Sequence, residues 1–393
     1  MRHTQVLLGG LVMMGNAYAG GIPELMKTEA GQPVTTVAQW EQTRRPEILG
    51  LFQEHVFGRN PVGRPDTLRF EPLGTDIPML DGKAIRKRVR IHYEGPGGKR
   101  HFDISAFIPK GAKKAPAFLL VCFCPPEELF NPERGSNKSE HLRLPVEAFA
   151  ARGYAVVAFS REDVSPDKNT GFTESPHAVF TPNPEERTAS SWGTIAAWAW
   201  GASRVMDWIE TEPLLDARHV AMVGHSRCGK TALWCGANDA RIALVISNNS
   251  GCGGAKLNRM DLPKSEHIAQ ITKNFGYWFC ANFKKYADNE DALPVDQHEL
   301  LALTAPRLLY VASAVGDPWA GPEGEFESCK LASPVWTLYG KKGLAGDAFP
   351  APDKPLQEGS IGYHLRSGAH DLTPYDWERF MDFTDRNGWR RDG

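Results

Sequence analysis

The passage from His219 to Ala237 restricts this chain more than any other. A β-branched apolar run, His219-Val220-Ala221-Met222-Val223, ends at Gly224-His225-Ser226. It gives way at once to a run of small residues from Arg227 through Cys228, Gly229, Lys230, Thr231 and Ala232 to Ala237, which reads as a helix. With no loop between the two patterns, Ser226 must occupy a sharp strand-to-helix turn. Such a turn, a nucleophile elbow, holds a serine Oγ out of the top of a sheet. The helix N-terminus beneath it offers free N–H groups and a positive dipole end to developing negative charge. Cys228 stands where a Gly-x-Ser-x-Gly motif has its second glycine, and Gly229 comes one later. Any strand-to-helix turn favours small residues, so the elbow gains force only from the partners that follow.

A serine at an elbow needs an acid and then a histidine further along, each at the C-terminal end of a strand. Arg307 to Ala314 reads as a buried strand bounded by Pro306 and Gly316, and Asp317 lies in the loop just beyond it. Ile361 to Arg366 alternates apolar and polar residues like another strand, and the small-residue loop Ser367-Gly368-Ala369-His370-Asp371 follows. The order Ser226, Asp317, His370 is that of the α/β-hydrolase topology. In that arrangement His370 takes the proton of Ser226 while Asp317 fixes its tautomer and supports the imidazolium. Asp317 also precedes a proline, where an aspartate commonly serves as a turn former. His364 is the rival to His370, but its mid-strand place suits a core histidine.

The remaining periodicities fit this topology. Residues 37 to 57 read as an amphipathic N-terminal helix, and 85–93 with 101–109 as an antiparallel strand pair. Further strands are expected at 115–123, 155–160, 219–223, 244–248 and 308–313, with another near 335–339. Helical patterns separate most of them. The longest, Ala189 to Thr211, carries Trp192, Trp198, Trp200 and Trp208, whose rings read as core. The expected architecture is an α/β three-layer sandwich, a mainly parallel sheet with helices on both faces. The Pro-, Asn- and Asp-rich stretch from Ser165 to Glu186 is too long for a plain connection and is expected at the cleft rim.

Composition narrows the setting. Arg2 and His3, an apolar run from Val6 to Met14 and Ala17-Tyr18-Ala19 read as an export signal over residues 1–19, and the apolar stretch is too short to span a bilayer. A secreted or periplasmic protein follows, with residues 20–393 as a single catalytic domain acting as a monomer. The formal charge of −2 and the absence of a basic stripe argue against a nucleic-acid partner. Seven cysteines cannot all pair internally, and Cys122 and Cys124 read as buried thiols. No spacing fits a zinc site, so neither metal nor cofactor is expected.

The run Gly224-His225-Ser226-Arg227-Cys228-Gly229-Lys230, the segment Arg241 to Gly254, Leu293-Pro294-Val295-Asp296-Gln297-His298, Asp317-Pro318-Trp319 and Gly368 to Trp377 resemble the glucuronoyl esterases, carbohydrate esterase family 15, and most of all their bacterial branch. The likeness spans roughly residues 80 to 390. It implies hydrolysis of esters of 4-O-methyl-glucuronic acid, as in lignin–xylan cross-links, with glucuronoxylan or a lignin–carbohydrate ester as partner. It further implies Arg227 as oxyanion stabiliser through both its N–H and its guanidinium, although an arginine there can also be a structural salt-bridge partner. Lys230 matches a lysine that hydrogen-bonds sugar hydroxyls, Trp319 a tryptophan lining the uronic acid pocket, and Glu266 a polar sugar contact. Two departures stand out. Fungal members carry their catalytic glutamate where this chain has Asn249, which makes Asp317 the acid. They also bridge cysteines where this chain has His225 and Asp371. An acetyl-xylan or general carboxylesterase, or a non-catalytic polysaccharide-binding relative, remains the alternative on the same fold.

Overall fold

The computed structural model describes residues 21–111, 114–129 and 144–389; the export signal expected over 1–19 lies outside them. Among the described residues ten strands form one sheet: β1 (Arg69–Pro72), β2 (Ile77–Met79), β3 (Ala84–Gly95), β4 (Gly98–Pro109), β5 (Ala115–Cys122), β6 (Ala155–Ser160), β7 (Leu215–His225), β8 (Leu244–Asn248), β9 (Leu308–Ala314) and β10 (Ile361–Arg366). Their order is β1-β3-β4-β6-β5-β7-β8-β9-β10, with β2 also paired to β3. From β6 to β10 every pairing is parallel, whereas β3 and β4 form a long antiparallel hairpin from Ala84↔Pro109 to Gly95↔Gly98. This is the α/β-hydrolase fold, as the strand and helix patterns imply.

The parallel strands are buried on both faces, and their alternate residues feed two cores. In β5, Ala117, Leu119 and Val121 join one core while Phe118, Leu120 and Cys122 join the other. The larger core lies under the N-terminal helical segment (Trp40, Ile48, Phe52), the Thr194–Ile209 helix, the elbow helix Arg227–Asn238 and the Pro322–Leu338 helix. The smaller is covered by Val146–Ala151 and Pro374–Arg386, with Phe149, Trp377 and Phe380 meeting edge to face at 5.4–5.9 Å. Trp192, Trp198, Trp200 and Trp208 are all core residues.

Two expectations change. Residues 335–339 are no strand: they close the Pro322–Leu338 helix, whose buried Phe326, Cys329, Ala332, Val335 and Trp336 recur at helical spacing. A short apolar run does not distinguish strand from helix, and Pro334 inside the helix obscures its period. Strands β1 and β2 were not anticipated, because they are short, largely exposed edge strands without an apolar alternation.

At the end of β7 the chain turns on Ser226, whose φ of +57° and ψ of −127° are strained for a residue with a Cβ. The turn closes because Gly224 lies against the first turn of the elbow helix: a Cβ there would stand 1.8 Å from the Cys228 carbonyl oxygen and 2.7 Å from Gly229 N. We expect Gly224→Ala to lower stability by at least about 3 kcal/mol, beyond ordinary overpacking, because backbone rather than a side chain would have to move. Urea denaturation checks this, and an unchanged midpoint would mean that the crossing tolerates a methyl group.

Candidate active site

The C-terminal ends of β7, β8, β9 and β10 bring together Ser226, Asn249, Asp317 and His370. They share a cleft of about 350 Å³ with Arg227, Lys230, Glu266, Trp278 and Trp319 among its walls. All seven site residues read from the sequence therefore line one cleft. His364 does not: it is fully buried in β10, bonded to Asp376 at 2.9 Å and to the Tyr310 hydroxyl at 3.0 Å.

His370 Nδ1 lies 2.5 Å from Asp317 Oδ2, which leaves Nε2 as the ring nitrogen available for proton transfer. The same oxygen accepts from Asn249 Nδ2 at 2.8 Å, while Oδ1 accepts from Ala320 N–H. Burial disfavours the charge on Asp317, but the bonds from His370, Asn249 and Ala320 together hold its carboxyl below the usual range. It is ionised at neutral pH. Asn249 thus helps to hold the Asp317 carboxylate in place.

Arg227 opens the elbow helix, so its N–H is the first of the helix and has no acceptor within it. Its guanidinium lies over the Trp278 ring at 4.5 Å and donates from Nη1 to Asp167 Oδ2. Nε is buried and has no partner among the described residues. Asp167 comes from the long Ser165–Glu186 stretch and also accepts from Arg161, the Tyr277 hydroxyl and Trp278 Nε1. Burial works against its charge, yet Trp278 and the two arginines keep its carboxyl below the ordinary range. The salt-bridge role and a place in the cleft wall therefore coexist in Arg227.

Lys230, one turn along the helix, is buried instead of solvated; its ammonium donates to the Ser250 carbonyl. Burial lowers its pKa, and the nearby Glu266 works the other way. Glu266 is raised by its own burial and drawn back by Lys230 and the Trp319 indole. Glu266 N–H bonds the Trp319 carbonyl at 2.9 Å, and Trp319 itself is about half exposed at the cleft mouth. A cation, a carboxyl group and an aromatic face thus stand on one side of Ser226, with polar groups that a hydroxylated ring could pair.

Sequence reasoning missed Asp167 and Glu325. Glu325 is fully buried beneath the Asn249-Ser250-Gly251 turn and accepts from the N–H groups of Ser250 and Gly251 at 2.8 and 3.0 Å and from the Ser313 hydroxyl at 2.6 Å. Nothing local marks either residue, because both act over contacts far apart in the chain. Among the described residues no disulfide joins any of the seven cysteines; Cys124 is half-buried and the rest are buried. Burial pushes Cys228, two residues from Ser226, up to about 12, so it is a packed and unreactive thiol.

The strand order and the sharp turn at Ser226 define the α/β-hydrolase fold, with Ser226, Asp317 and His370 in one cleft. A family model for fungal glucuronyl esterases matches residues 140–340. A carbohydrate esterase from an unknown prokaryotic organism is 37% identical over 390 residues, covering 93% of this chain and 89% of that one. A 4-O-methyl-glucuronoyl methylesterase from Schizophyllum commune is 28% identical over 81% of this chain and 74% of its own. The solved glucuronoyl esterase from Solibacter usitatus superposes with a TM-score of 0.86 at 38% identity, covering 94% of this chain and 98% of that one. A promiscuous family 15 esterase from a marine bacterial metagenome gives a TM-score of 0.82 at 34% identity over 94% and 97% of the two chains. The chain belongs to the glucuronoyl esterases, carbohydrate esterase family 15, and is a carboxylic ester hydrolase.

Two predictions arise from this geometry. Asp317→Ala is expected to lower kcat by two or more orders of magnitude, and Asn249→Ala by about tenfold, the loss of one hydrogen bond to a charged group. Steady-state kinetics on one ester substrate decide it, and a larger loss at Asn249 than at Asp317 would mean that the acid is misassigned.

Burial raises Glu325 from 4.5 to about 7, partly offset by the Ser313 hydroxyl and the Gly251 and Ser250 N–H groups. Between those values the folded chain holds a proton that the unfolded chain does not. The associated stability is therefore full below pH 4.5 and lost as pH rises through 7. Glu325→Gln should flatten that decline in urea midpoints measured across the window. Parallel curves for parent and variant would refute it.

Proposed function

We propose that this enzyme hydrolyses esters of 4-O-methyl-glucuronic acid, such as those linking glucuronoxylan to lignin, through an acyl-enzyme. His370 takes the proton of Ser226 as Oγ attacks the ester carbonyl, and Asp317 holds its tautomer and supports the imidazolium. The N–H of Arg227 and its guanidinium receive the charge that develops on the carbonyl oxygen, with Asp167 and Trp278 holding the side chain in place. His370 then returns the proton to the departing alcohol, and a water activated by the same imidazole releases the acid. Lys230, Glu266 and Trp319 take the uronic acid ring.

The observation that carries this reading is the single cleft containing both the Ser226–His370–Asp317 set and the Lys230–Glu266–Trp319 wall. A simple acyl pocket has no use for a buried lysine and a buried carboxyl group, each costly to remove from water. The 2.5 Å bond between His370 and Asp317 counts against a non-catalytic binding relative. A broader carboxylesterase remains the second reading, favoured by the half-exposed mouth at Trp319 and by the marine relative described as promiscuous. We further read residues 1–19 as an export signal and 20–393 as one catalytic domain, secreted or periplasmic, monomeric and without cofactor. Among the described residues no helix is long and apolar enough to cross a membrane.

Ser226→Ala should abolish turnover of benzyl glucuronate by purified enzyme. Lys230→Met, which keeps the buried volume, and Trp319→Ala should each cost about 1–3 kcal/mol in kcat/KM on that ester. Turnover of 4-nitrophenyl acetate, too small to reach either group, should barely change. Equal losses on both substrates would assign the two residues to the geometry of the triad and leave the broader esterase as the better reading.

A further inference from the structure

The loop carrying His370 is exposed and glycine-bearing, yet the base it carries must stay in register with an elbow on a different strand. The side chains that hold it lie outside the cleft. Arg366, the last residue of β10, donates from Nη1 to the Ser367 carbonyl at 3.0 Å. From Nη2 it donates to the carbonyls of Ala369 and Asp371 at 2.8 and 2.7 Å. One guanidinium therefore grips the peptide on either side of His370. Its Nε bonds both carboxylate oxygens of Asp376, at 3.1 and 2.9 Å.

Asp376 is fully buried in the first turn of the Pro374–Arg386 helix, where its Oδ2 also accepts from the N–H and hydroxyl of Thr373 at 2.7 and 2.8 Å. Its Oδ1 accepts from His364 Nε2 at 2.9 Å and from Asn248 Nδ2 at 3.1 Å. Asn248 ends β8 and reaches the elbow twice. Its carbonyl accepts from Ser226 N–H at 2.8 Å, and its Oδ1 lies 2.5 Å from His225 Nδ1. The His225 ring in turn packs on the His370 ring, centroids 4.5 Å apart.

We propose that Asp376, Arg366 and Asn248 are positioning residues: one buried carboxylate ties the histidine loop, through Arg366, to the nucleophile elbow, through Asn248 and His225. Helix capping alone accounts for the Thr373 bonds. It does not account for an arginine that spends every donor group on Asp376 and on the three carbonyls of one loop, nor for the branch through Asn248. Burying such an ion pair is costly unless all its hydrogen bonds are made, and here both oxygens and all three nitrogens are engaged. The effect on catalysis is geometric: it fixes the distance between base and nucleophile, to which rate is steeply sensitive.

The proposal rests on His370 as the general base. Arg366→Lys keeps the positive charge beside Asp376 but lacks the fork that grips the loop. Asn248→Ala severs the elbow branch and leaves Arg366 untouched. In each, kcat per serine titrated to completion with a fluorophosphonate should fall on the order of tenfold to a hundredfold, with KM within about twofold. The far-downfield proton shared by His370 and Asp317 should broaden or move in the NMR spectrum of the folded variant. The two variants are independent, so failure of one to fold leaves the other decisive. The proposal is overturned if kcat per titrated serine stays within about twofold of the parent, if that proton does not move, or if the loss appears only as less titratable enzyme. His370→Ala in the parent background tests the underlying assignment separately, since undiminished turnover there sinks the base and not merely its clamp.

Discussion

The close crossing of strand β7 and the elbow helix governs the rest of this molecule. Gly224 lets the first helical turn pack against the strand end at a distance no side chain would permit. That contact forces Ser226 into positive φ and leaves the helix N-terminus directly behind Oγ. From this one constraint come the place of Ser226 in the cleft, the placement of the Arg227 N–H and the inward direction of Lys230 one turn later. Gly229 belongs to the same device, since a Cβ there would meet the Ser250 side chain at 2.9 Å. The glycine the motif needs for close packing has thus moved one place, and a buried cysteine fills the position it left.

Around that elbow the protein carries much charge out of water, and nearly every charge answers another or a backbone dipole. Asp167 gathers two guanidiniums, a phenol and an indole. Such pairs add little net stability once desolvation is counted. Their consequence is direction: a guanidinium stacked on Trp278 and tied to Asp167 has few other places to go. It is therefore held in one place in the cleft wall before anything binds there.

The parts legible in the sequence are those whose physics is local. The positions of Ser226, Asp317 and His370 at one cleft could be read because each follows an apolar strand, and strand order then fixes which ends meet. The core tryptophans of the Thr194–Ile209 helix were legible for the same reason, as a periodic pattern. Asp167, Glu325 and Asp376 could not be read as site-shaping residues. Each lies in an ordinary-looking context, and each has at least one partner from a segment tens to more than a hundred residues away. The strand expected near residue 335 failed because a short apolar run fits two periods equally well, and the proline favoured the wrong one. Lys230 does line the cleft, but its burial was not foreseen, because solvation of a helix face depends on what packs over it.

Asn249 brings these strands together. It sits at the end of β8 with φ of +47°, a conformation asparagine tolerates better than most residues. There its amide donates to the same Asp317 oxygen that His370 uses. A carboxylate at that position would face Asp317 at hydrogen-bonding distance, and two like charges so close share a proton rather than both ionise. One of them would then be neutral at the pH at which the base must be supported. The amide removes the conflict: it supplies a donor where a second acid would be a competitor, and leaves Asp317 as the carboxylate that His370 meets. The asparagine that stands where fungal members carry a glutamate is in the fold a donor that, with His370, helps Asp317 keep its charge.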